Sequence, residues 1–335
     1  MRLGCESSSD CPKTCHPCEP TRGCAFLFAR FRAKWVAHVT LRNPMTFALI
    51  TAARDEEDAI CALVQSVLAQ SVRPDRWVIV SDGSRDRTEE IVEKLILNEP
   101  WITLVCIEGG QQRDFASKAY ALQRGLAELG ELREDFIGVL DGDLRLDPKY
   151  FAQLLQVFDG EPELGLAGGQ IYEEYEGKQV EHDISRDAVA GAVHLFRREA
   201  YEETDGFKPL KDGGEDTLME LQVRAAGWQT RTVRELAVTH QGQVTSGSGG
   251  QLALRFRRGY LNWCFGYDPI FAWVAIAYRS LQAPVILGGI CQAAGYLWAG
   301  IKRPERVVSP ELRRFLLAEQ RSKLRALLRR GDRLR

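Results

Sequence analysis

The segment Val139-Leu-Asp-Gly-Asp-Leu-Arg-Leu-Asp-Pro148 is the starting point of the fold prediction. Its first residues complete an apolar run that begins at Phe136, and two carboxylates one residue apart, Asp141 and Asp143, follow directly. A short apolar run bounded by turn-forming residues predicts a buried strand, and we expect a helix after Pro148. Asp141 and Asp143 then lie at the carboxyl end of that strand. Their oxygens are the ligands that Mg²⁺ or Mn²⁺ prefers, although Asp-Gly is also common in solvated turns.

The sequence around this segment alternates between apolar strands and amphipathic helices. Upstream, strands are predicted at 46–52, 76–82 and 101–107, and helices at about 56–70, 87–98 and 116–130. Downstream the alternation is less regular, with strands at 165–172, 190–197 and 229–239 and one helix from Glu215 to about Ala226. Such a pattern predicts an α/β domain over 45–265, with a mostly parallel central sheet and helices on both faces. Ligands of such sheets bind at the carboxyl ends of the strands.

The composition allows a full core and excludes a general nucleic-acid binder. The 335 residues are 45% hydrophobic, and 44 Lys and Arg face 46 Asp and Glu, a formal net charge of −2. Such a chain lacks the positive field that attracts nucleic acid. Cysteines beyond the first 24 residues lie singly in apolar surroundings, which is typical of a reduced, cytoplasmic protein.

The C-terminal part, residues 266–301, is apolar and favours contact with a membrane. Residues 280–301 form a stretch of 22 without a charge, which is long enough to cross a bilayer. Pro284 and several small residues interrupt it, so a helix in the interface or packed on the domain is equally open. The following helical tail, 302–335, has twelve basic and four acidic side chains. Cationic segments beside an apolar helix favour the anionic cytoplasmic leaflet, and we expect the protein at that face.

The end of the first strand carries the motif Thr51-Ala-Ala-Arg-Asp-Glu-Glu57. Together with the motifs described next, it resembles the family 2 glycosyltransferases of the GT-A fold, from about Phe47 to His240. The family has small residues followed by an Asn-Glu-Glu-like triplet here, and Asp55 stands where asparagine is usual. The stretch alone is also compatible with a simple helix start. The resemblance implies that four residues line the nucleoside pocket: Ala52, Ala53, Arg54 and Glu56.

Two further motifs are similar to the family's donor-binding segments. Val80-Ser-Asp-Gly-Ser-Arg-Asp86 matches its Asp-Asp-Gly-Ser motif with Ser81 replacing the first aspartate. The resemblance implies that Asp82 accepts a hydrogen bond from the base, while the alternative is a turn with a helix cap. Ala116-Ser-Lys-Ala-Tyr-Ala-Leu-Gln-Arg-Gly125 is similar to the family's lysine-bearing helix. Lys118 would lie over the nucleotide, or it is simply solvated.

The acceptor side begins at Asp212-Gly-Gly-Glu-Asp216, which resembles the family's Glu-Asp motif before the acceptor helix. Displacement at an anomeric carbon needs a carboxylate to take the acceptor's proton, and Asp216 is assigned this role. Acids in a helix first turn are also expected on electrostatic grounds alone. His240 is a candidate third metal ligand or a structural histidine. Arg255-Phe-Arg-Arg-Gly-Tyr260 resembles a basic motif of processive members but lacks its glutamine and tryptophan.

The resemblance implies an inverting glycosyltransferase dependent on Mg²⁺ or Mn²⁺. Asp143 would hold the metal, Asp141 would lie near the ribose or the metal, and a nucleotide diphosphate-sugar, most commonly a UDP-sugar, would be the donor. A hydroxyl acceptor would receive the sugar, and the apolar segment and basic tail favour a lipid-linked acceptor in polysaccharide or glycoconjugate assembly. One alternative is a nucleotidyltransferase, although its glycine-rich basic first loop is missing. The other is an inactive membrane scaffold, which would be expected to have lost Asp143 or Asp216.

The cysteine-rich segment 1–44 has no sustained period and admits three interpretations. Cys11, Cys15 and Cys18 have the spacing of the iron–sulfur cluster of radical S-adenosylmethionine enzymes. A small zinc knot with His16 is the second interpretation. We favour the third, a disordered or spurious leader, because Met45 stands immediately before the first predicted strand and could be the true start. Residues 1–24 also lack the continuous apolar core of a secretory signal.

Overall fold

The computed structural model describes residues 45–108, 115–175, 178–182, 184–185, 187–241, 250–281 and 285–332. The cysteine-rich segment therefore lies outside the described residues, and its three interpretations stay open.

The first half of the chain is the predicted succession of parallel strands and covering helices. Four strands lie side by side in the order β3-β2-β1-β4, and all three pairings are parallel. They are β1 (Phe47–Ala53), β2 (Arg76–Asp82), β3 (Ile102–Ile107) and β4 (Phe136–Asp141). The connecting helices are α1 (Ile60–Leu68), α2 (Thr88–Ile96) and α3 (Ala116–Leu129). Each strand therefore delivers its last residues to the same edge of the sheet.

Alternate residues of the central strands fill a core on each face of the sheet. One face of β1 and β2 contributes Phe47, Leu49, Trp77 and Ile79 to a cluster with α1 and α2. The opposite face contributes Ala48, Ile50, Val78 and Val80 to a cluster with α3. Gly125 lets α3 approach closely, because a Cβ there would lie 2.5 Å from Ile50 Cγ2. Helices thus cover both faces, as the sequence predicted.

The second half turns the sheet into a mixed one. Its strands are β5 (Leu144–Leu146), β6 (Leu164–Tyr175), β7 (Lys178–Glu181), β8 (Val193–Arg197) and β9 (Gln229–His240). Its helices are α4 (Tyr150–Gly160), α5 (Arg198–Glu202) and α6 (Glu215–Ala225). The described sheet continues β4-β8-β6-β9-β5, with β7 on β6. β8 is antiparallel to both β4 and β6, β5 is antiparallel to β9, and β6 runs parallel to β9.

Four helices follow the sheet: α7 (Gly250–Cys264), α8 (Pro269–Arg279), α9 (Leu287–Lys302) and α10 (Pro310–Asp332). The uncharged stretch 280–301 is therefore not one helix, since α8 ends before it and α9 begins within it. Among the described residues, no helix is both long enough and apolar enough to cross a bilayer. α7 and α9 pack backbone to backbone at Gly259 and Gly295, where an added Cβ would collide with the facing helix.

Candidate active site

The loops after β1 and β2 are hydrogen-bonded to each other and form one side of the site. Asp55 has a left-handed backbone, with φ of 55°, which asparagine and aspartate tolerate better than most residues. Its N–H donates to Ser84 Oγ at 3.2 Å, and its Oδ1 accepts from the Arg85 N–H at 2.8 Å. The Glu56 N–H donates to Thr88 Oγ1 at 2.8 Å. Asp55 therefore adopts a backbone conformation at this bend that asparagine would also tolerate.

The predicted nucleoside-binding residues lie together at this edge. Strand register places Ala52 between Val80 and Asp141, and Ala53 beside Ser81. Arg54 Nη1 lies 3.3 Å from Asp82 Oδ2, and both side chains are largely buried, at 13% and 14% exposure.

The replacement of the first aspartate of the second motif by Ser81 keeps a carboxylate nearby. The Ser81 hydroxyl donates to Glu89 Oε1 at 2.6 Å and lies 3.0 Å from the Ser84 hydroxyl. Glu89 belongs to the first turn of α2. Ser81 therefore has a carboxylate of α2 within hydrogen-bond distance.

Lys118, on the first turn of α3, points into the site rather than into solvent. Its Nζ lies 2.5 Å from Asp141 Oδ1 and donates to the Gly191 carbonyl at 3.1 Å. Burial alone would lower the pKa of Lys118, but Asp141, with Glu215 and Asp216 farther away, raises it above the ordinary value. The ammonium group is therefore held charged, at the place where a diphosphate would need a positive partner.

Asp143 and His240 meet because β5 pairs with the end of β9, with Leu144 opposite His240. His240 Nε2 lies 3.1 Å from Asp143 Oδ2. Burial, and next the charge of Asp141, raise the pKa of Asp143, while His240 lowers it. Within the described residues, Asp143 Oδ1 is buried and has no hydrogen-bond partner.

These residues fit a hard divalent cation in their chemistry. A buried carboxylate oxygen without a partner needs a cation or a donor, and carboxylates with an imidazole suit Mg²⁺ or Mn²⁺. The described residues contain no group of three acidic, histidine or cysteine side chains already arranged around a cation position. Asp143, with Asp141 and His240, therefore remains a predicted ligand set.

Asp216 approaches the same region from the other side of the sheet edge. Gly213 and Gly214 have φ of 76° and 95°, a left-handed turn that starts α6 directly before the acidic pair. Asp216 lies against Gly191, where an added Cβ would be 2.8 Å from Asp216 Cβ. Burial, and next the charge of Asp216, raise the pKa of the neighbouring Glu215.

Arg257, from the basic segment at the start of α7, is partly buried rather than fully exposed. Its guanidinium lies 3.3 Å from the centroid of the Phe115 ring, and its Nε donates to the Asp212 carbonyl at 2.8 Å. It also contacts the backbone at Gly213. Arg257 therefore connects the start of α3 to the glycine turn that leads into Asp216.

Two buried polar residues near Asp216 were missed by the sequence reasoning. His194, on β8, packs edge-on against Phe196, and burial lowers its pKa to about 4 although Asp216 opposes the shift. Glu220 accepts the Val189 N–H at 3.1 Å, and burial raises its pKa to about 8 although Arg224 opposes the shift. A signal existed for Glu220, which is four residues after Asp216 and so on the same helix face.

Residues 48–212 match the family model described as glycosyl transferase family 2. Over these residues the chain is similar to the family 2 glycosyltransferases. The poly-beta-1,6-N-acetyl-D-glucosamine synthase of Staphylococcus aureus (strain MSSA476) is 29% identical over 125 residues. That alignment covers 37% of this chain and 28% of the length of the staphylococcal relative.

Solved structures of glycosyltransferases share the fold. The mannosyltransferase PcManGT from Pyrobaculum calidifontis, in complex with GDP-Man and Mn²⁺, has a TM-score of 0.51 at 17% identity, covering 92% of this chain and 87% of that one. GalNAc-T7 with UDP, GalNAc and Mn²⁺ has a TM-score of 0.50 at 13% identity, covering 79% and 55%. The GT-A fold that the sequence predicted is therefore confirmed.

Proposed function

We propose that this protein moves a sugar from a UDP-sugar to an acceptor hydroxyl with inversion, in the assembly of a cell-surface polysaccharide or glycoconjugate. The observation that carries the proposal is the convergence at Gly191. Its carbonyl accepts from Lys118, which pairs with Asp141, and its Cα side lies against Asp216. Donor-side and acceptor-side residues thus meet within one backbone unit.

The donor would lie along the edge formed by β1, β2 and β4. Arg54 and Asp82, with Ala52 and Ala53, would bind the nucleoside, while Lys118 faces the diphosphate. Asp143, with Asp141 and His240, would hold a divalent cation, which neutralises charge on a departing diphosphate. PcManGT and GalNAc-T7 were both solved with Mn²⁺ and a nucleotide or nucleotide-sugar, which supports this part of the proposal.

The acceptor hydroxyl would lie next to Asp216. As the acceptor oxygen forms its bond to the anomeric carbon, the bond to the diphosphate oxygen breaks and the hydroxyl proton passes to Asp216. A single displacement of this kind inverts the anomeric configuration. The left-handed glycine turn before α6 supports the role, because it holds the Asp216 side chain against Gly191.

Membrane contact would be made by the exposed apolar stripes of α8 and α9. Both stripes have helical spacing, and their members are 41–75% exposed: Ile270, Trp273, Val274 and Tyr278 on α8, and Leu287, Ile290, Leu297, Trp298 and Ile301 on α9. Lys302 lies over the Trp298 ring at 4.9 Å, next to the exposed Arg303. An apolar helix face with aromatic and basic residues at its border fits an anionic lipid surface and would bring a lipid-linked acceptor close.

A flotation assay tests the membrane proposal. The variant Trp273→Ala/Trp298→Ala should bind vesicles containing anionic lipid at least about tenfold more weakly than the unmodified protein, because two interfacial aromatic side chains are lost. Leu97→Ala, which removes an apolar side chain that is 81% exposed on the donor side, is the matched control and should bind normally. Equal binding by all three proteins would disprove this use of α8 and α9.

Donor hydrolysis tests the proposed reaction. Purified protein is incubated with a panel of UDP- and GDP-sugars in Mn²⁺, Mg²⁺ or EDTA, and nucleotide release is measured. Release of UDP from one UDP-sugar that stops in EDTA supports the proposal. Absence of hydrolysis and of nucleotide binding with every donor favours the inactive scaffold. Formation of a nucleotide-sugar from a sugar phosphate and a nucleoside triphosphate favours the nucleotidyltransferase.

A further inference from the structure

The segment 187–191, just before β8, touches both sides of the site. The Gly191 carbonyl accepts from Lys118 Nζ at 3.1 Å, and Gly191 packs against the Asp216 side chain. One residue later, the Ala192 carbonyl accepts the Asp141 N–H at 2.9 Å. A shift of this segment would therefore change the distance between Asp141 on the donor side and Asp216 on the acceptor side.

Side chains from β9 and α6 fix the backbone of this segment. Thr230 Oγ1 donates to the Asp187 carbonyl at 2.6 Å, and Thr232 Oγ1 donates to the Ala188 carbonyl. The Val189 N–H donates to Glu220 Oε1 at 3.1 Å in a fully buried setting. A buried N–H that loses such an acceptor keeps its desolvation cost with nothing to offset it, so Glu220 has a strong effect on where Val189 lies.

Arg224 in turn fixes Glu220 and connects it to the C-terminal helix. Its Nη1 lies 3.3 Å from Glu220 Oε2 and its Nε lies 3.2 Å from Glu319 Oε1. The three side chains are 18%, 10% and 19% exposed, in the order Arg224, Glu220, Glu319. Contacts this far from water depend on both partners, because removing one leaves a buried polar or charged group unpaired.

α10 also reaches the start of the segment and is anchored on α6 by apolar packing. Lys323 Nζ lies 3.2 Å from Glu319 Oε1 and 3.3 Å from Asp187 Oδ2. A separate apolar cluster joins the two helices through Leu218, Leu221, Phe265, Val308 and Leu316. The basic residues of this helix are thus used in part inside the protein.

We infer that Arg224 is a positioning residue. Held by Glu319 on α10, it fixes Glu220 and so places the segment 187–191 against Asp216, which means that α10 supports the acceptor side of the site. The inference rests on the proposed role of Asp216 as the base. A misplacement of about 1 Å between reacting groups can lower the rate about 10²-fold. Loss of these contacts should therefore lower turnover more than it weakens donor binding. α10 is then part of the catalytic unit and not only a basic tail.

The test compares Arg224→Met with Arg314→Gln. Arg314 pairs with Glu311 at 2.7 Å on an exposed part of α10, so its loss is the matched control. We expect Arg224→Met to lower kcat of sugar transfer about 10- to 100-fold, to leave the donor KM within twofold, and to raise hydrogen exchange of the Val189 amide at least about tenfold. Arg224→Lys should recover part of kcat, because an ammonium can reach Glu220 but not Glu319 as well. Arg314→Gln should change none of these.

Glu319→Gln keeps the inference testable if Arg224→Met fails to fold. This change leaves the Arg224–Glu220 pair intact, so we expect the same effects at about a few-fold, and no added effect in the double variant. Native kcat and native Val189 exchange in Arg224→Met or Glu319→Gln would overturn the inference. If transfer survives in Asp216→Asn while Val189 exchange still rises in Arg224→Met, Asp216 is not the base, but the effect of Arg224 on the segment 187–191 still holds.

Discussion

The proposed donor side and the proposed acceptor side of this protein are stabilised by contacts of different range. On the donor side, Asp82 follows directly from β2 and its partner Arg54 is 28 residues away in the adjacent loop. On the acceptor side, Val189 depends on Glu220, which depends on Arg224, whose other partner Glu319 lies in the last described helix. The donor side is therefore a local product of parallel strand ends, while the acceptor side needs the C-terminal helices.

The largest expected effect comes from breaking the donor side at Asp143. Asp143→Ala should reduce metal-dependent donor hydrolysis by about 10³-fold, because a lost cation removes several kcal/mol of stabilisation from the leaving diphosphate. Initial rates across a Mn²⁺ titration measure it. Glu131→Ala removes an exposed acid beyond α3 and should leave the rate unchanged. A rate in Asp143→Ala close to that of the unmodified protein would refute the metal assignment.

A smaller effect separates the two acids of the acceptor side. Asp216→Asn should lower sugar transfer by about 10²-fold with little change in donor KM, as expected for a general base. Glu215→Gln is the matched control and should keep transfer within about tenfold, because burial and Asp216 raise the pKa of Glu215 and disfavour its charged form. The reverse order of effects would move the base to Glu215.

The smallest effect concerns stability rather than activity and tests whether Glu220 is buried as described. Burial raises its pKa to about 8, above the value of 4.5 expected when unfolded. The folded state then binds the extra proton between these values, so the free energy of unfolding should fall as pH rises from about 5 to about 8. One such group contributes up to about 1.4 kcal/mol per pH unit. Glu220→Gln should remove this slope in urea unfolding at four pH values; an unchanged slope would contradict the assignment.

Much of the donor side could be predicted from sequence because period and position determine it. The strands β1 to β4 and the shared edge at their carboxyl ends follow from local patterns, while the family resemblance implied the placement of Asp82, Lys118 and Asp141 at that edge. Even Asp55 in place of asparagine agrees with its left-handed backbone. Local signals sufficed here because each loop is bonded mainly to its neighbour.

The acceptor side could be predicted only in outline. Helix α6 and Asp216 were found, but β5 and β7 are too short to show a period, and no pattern tells a strand its antiparallel partner. The break between α8 and α9 interrupts a stretch that hydropathy alone reads as continuous. Glu220 and Arg224 read as ordinary exposed helix charges until α10 covers them, which is a contact between distant parts of the chain.

The most direct test of the central claim is the configuration of the sugar released from the donor. The protein is incubated with an α-linked UDP-sugar and Mg²⁺, and the anomeric proton of the free sugar is followed by ¹H NMR before mutarotation proceeds. A single displacement by water assisted by Asp216 predicts that the β-anomer appears first and that Asp216→Asn forms it far more slowly. Early release of the α-anomer, or the same rate in Asp216→Asn, would contradict the inverting mechanism.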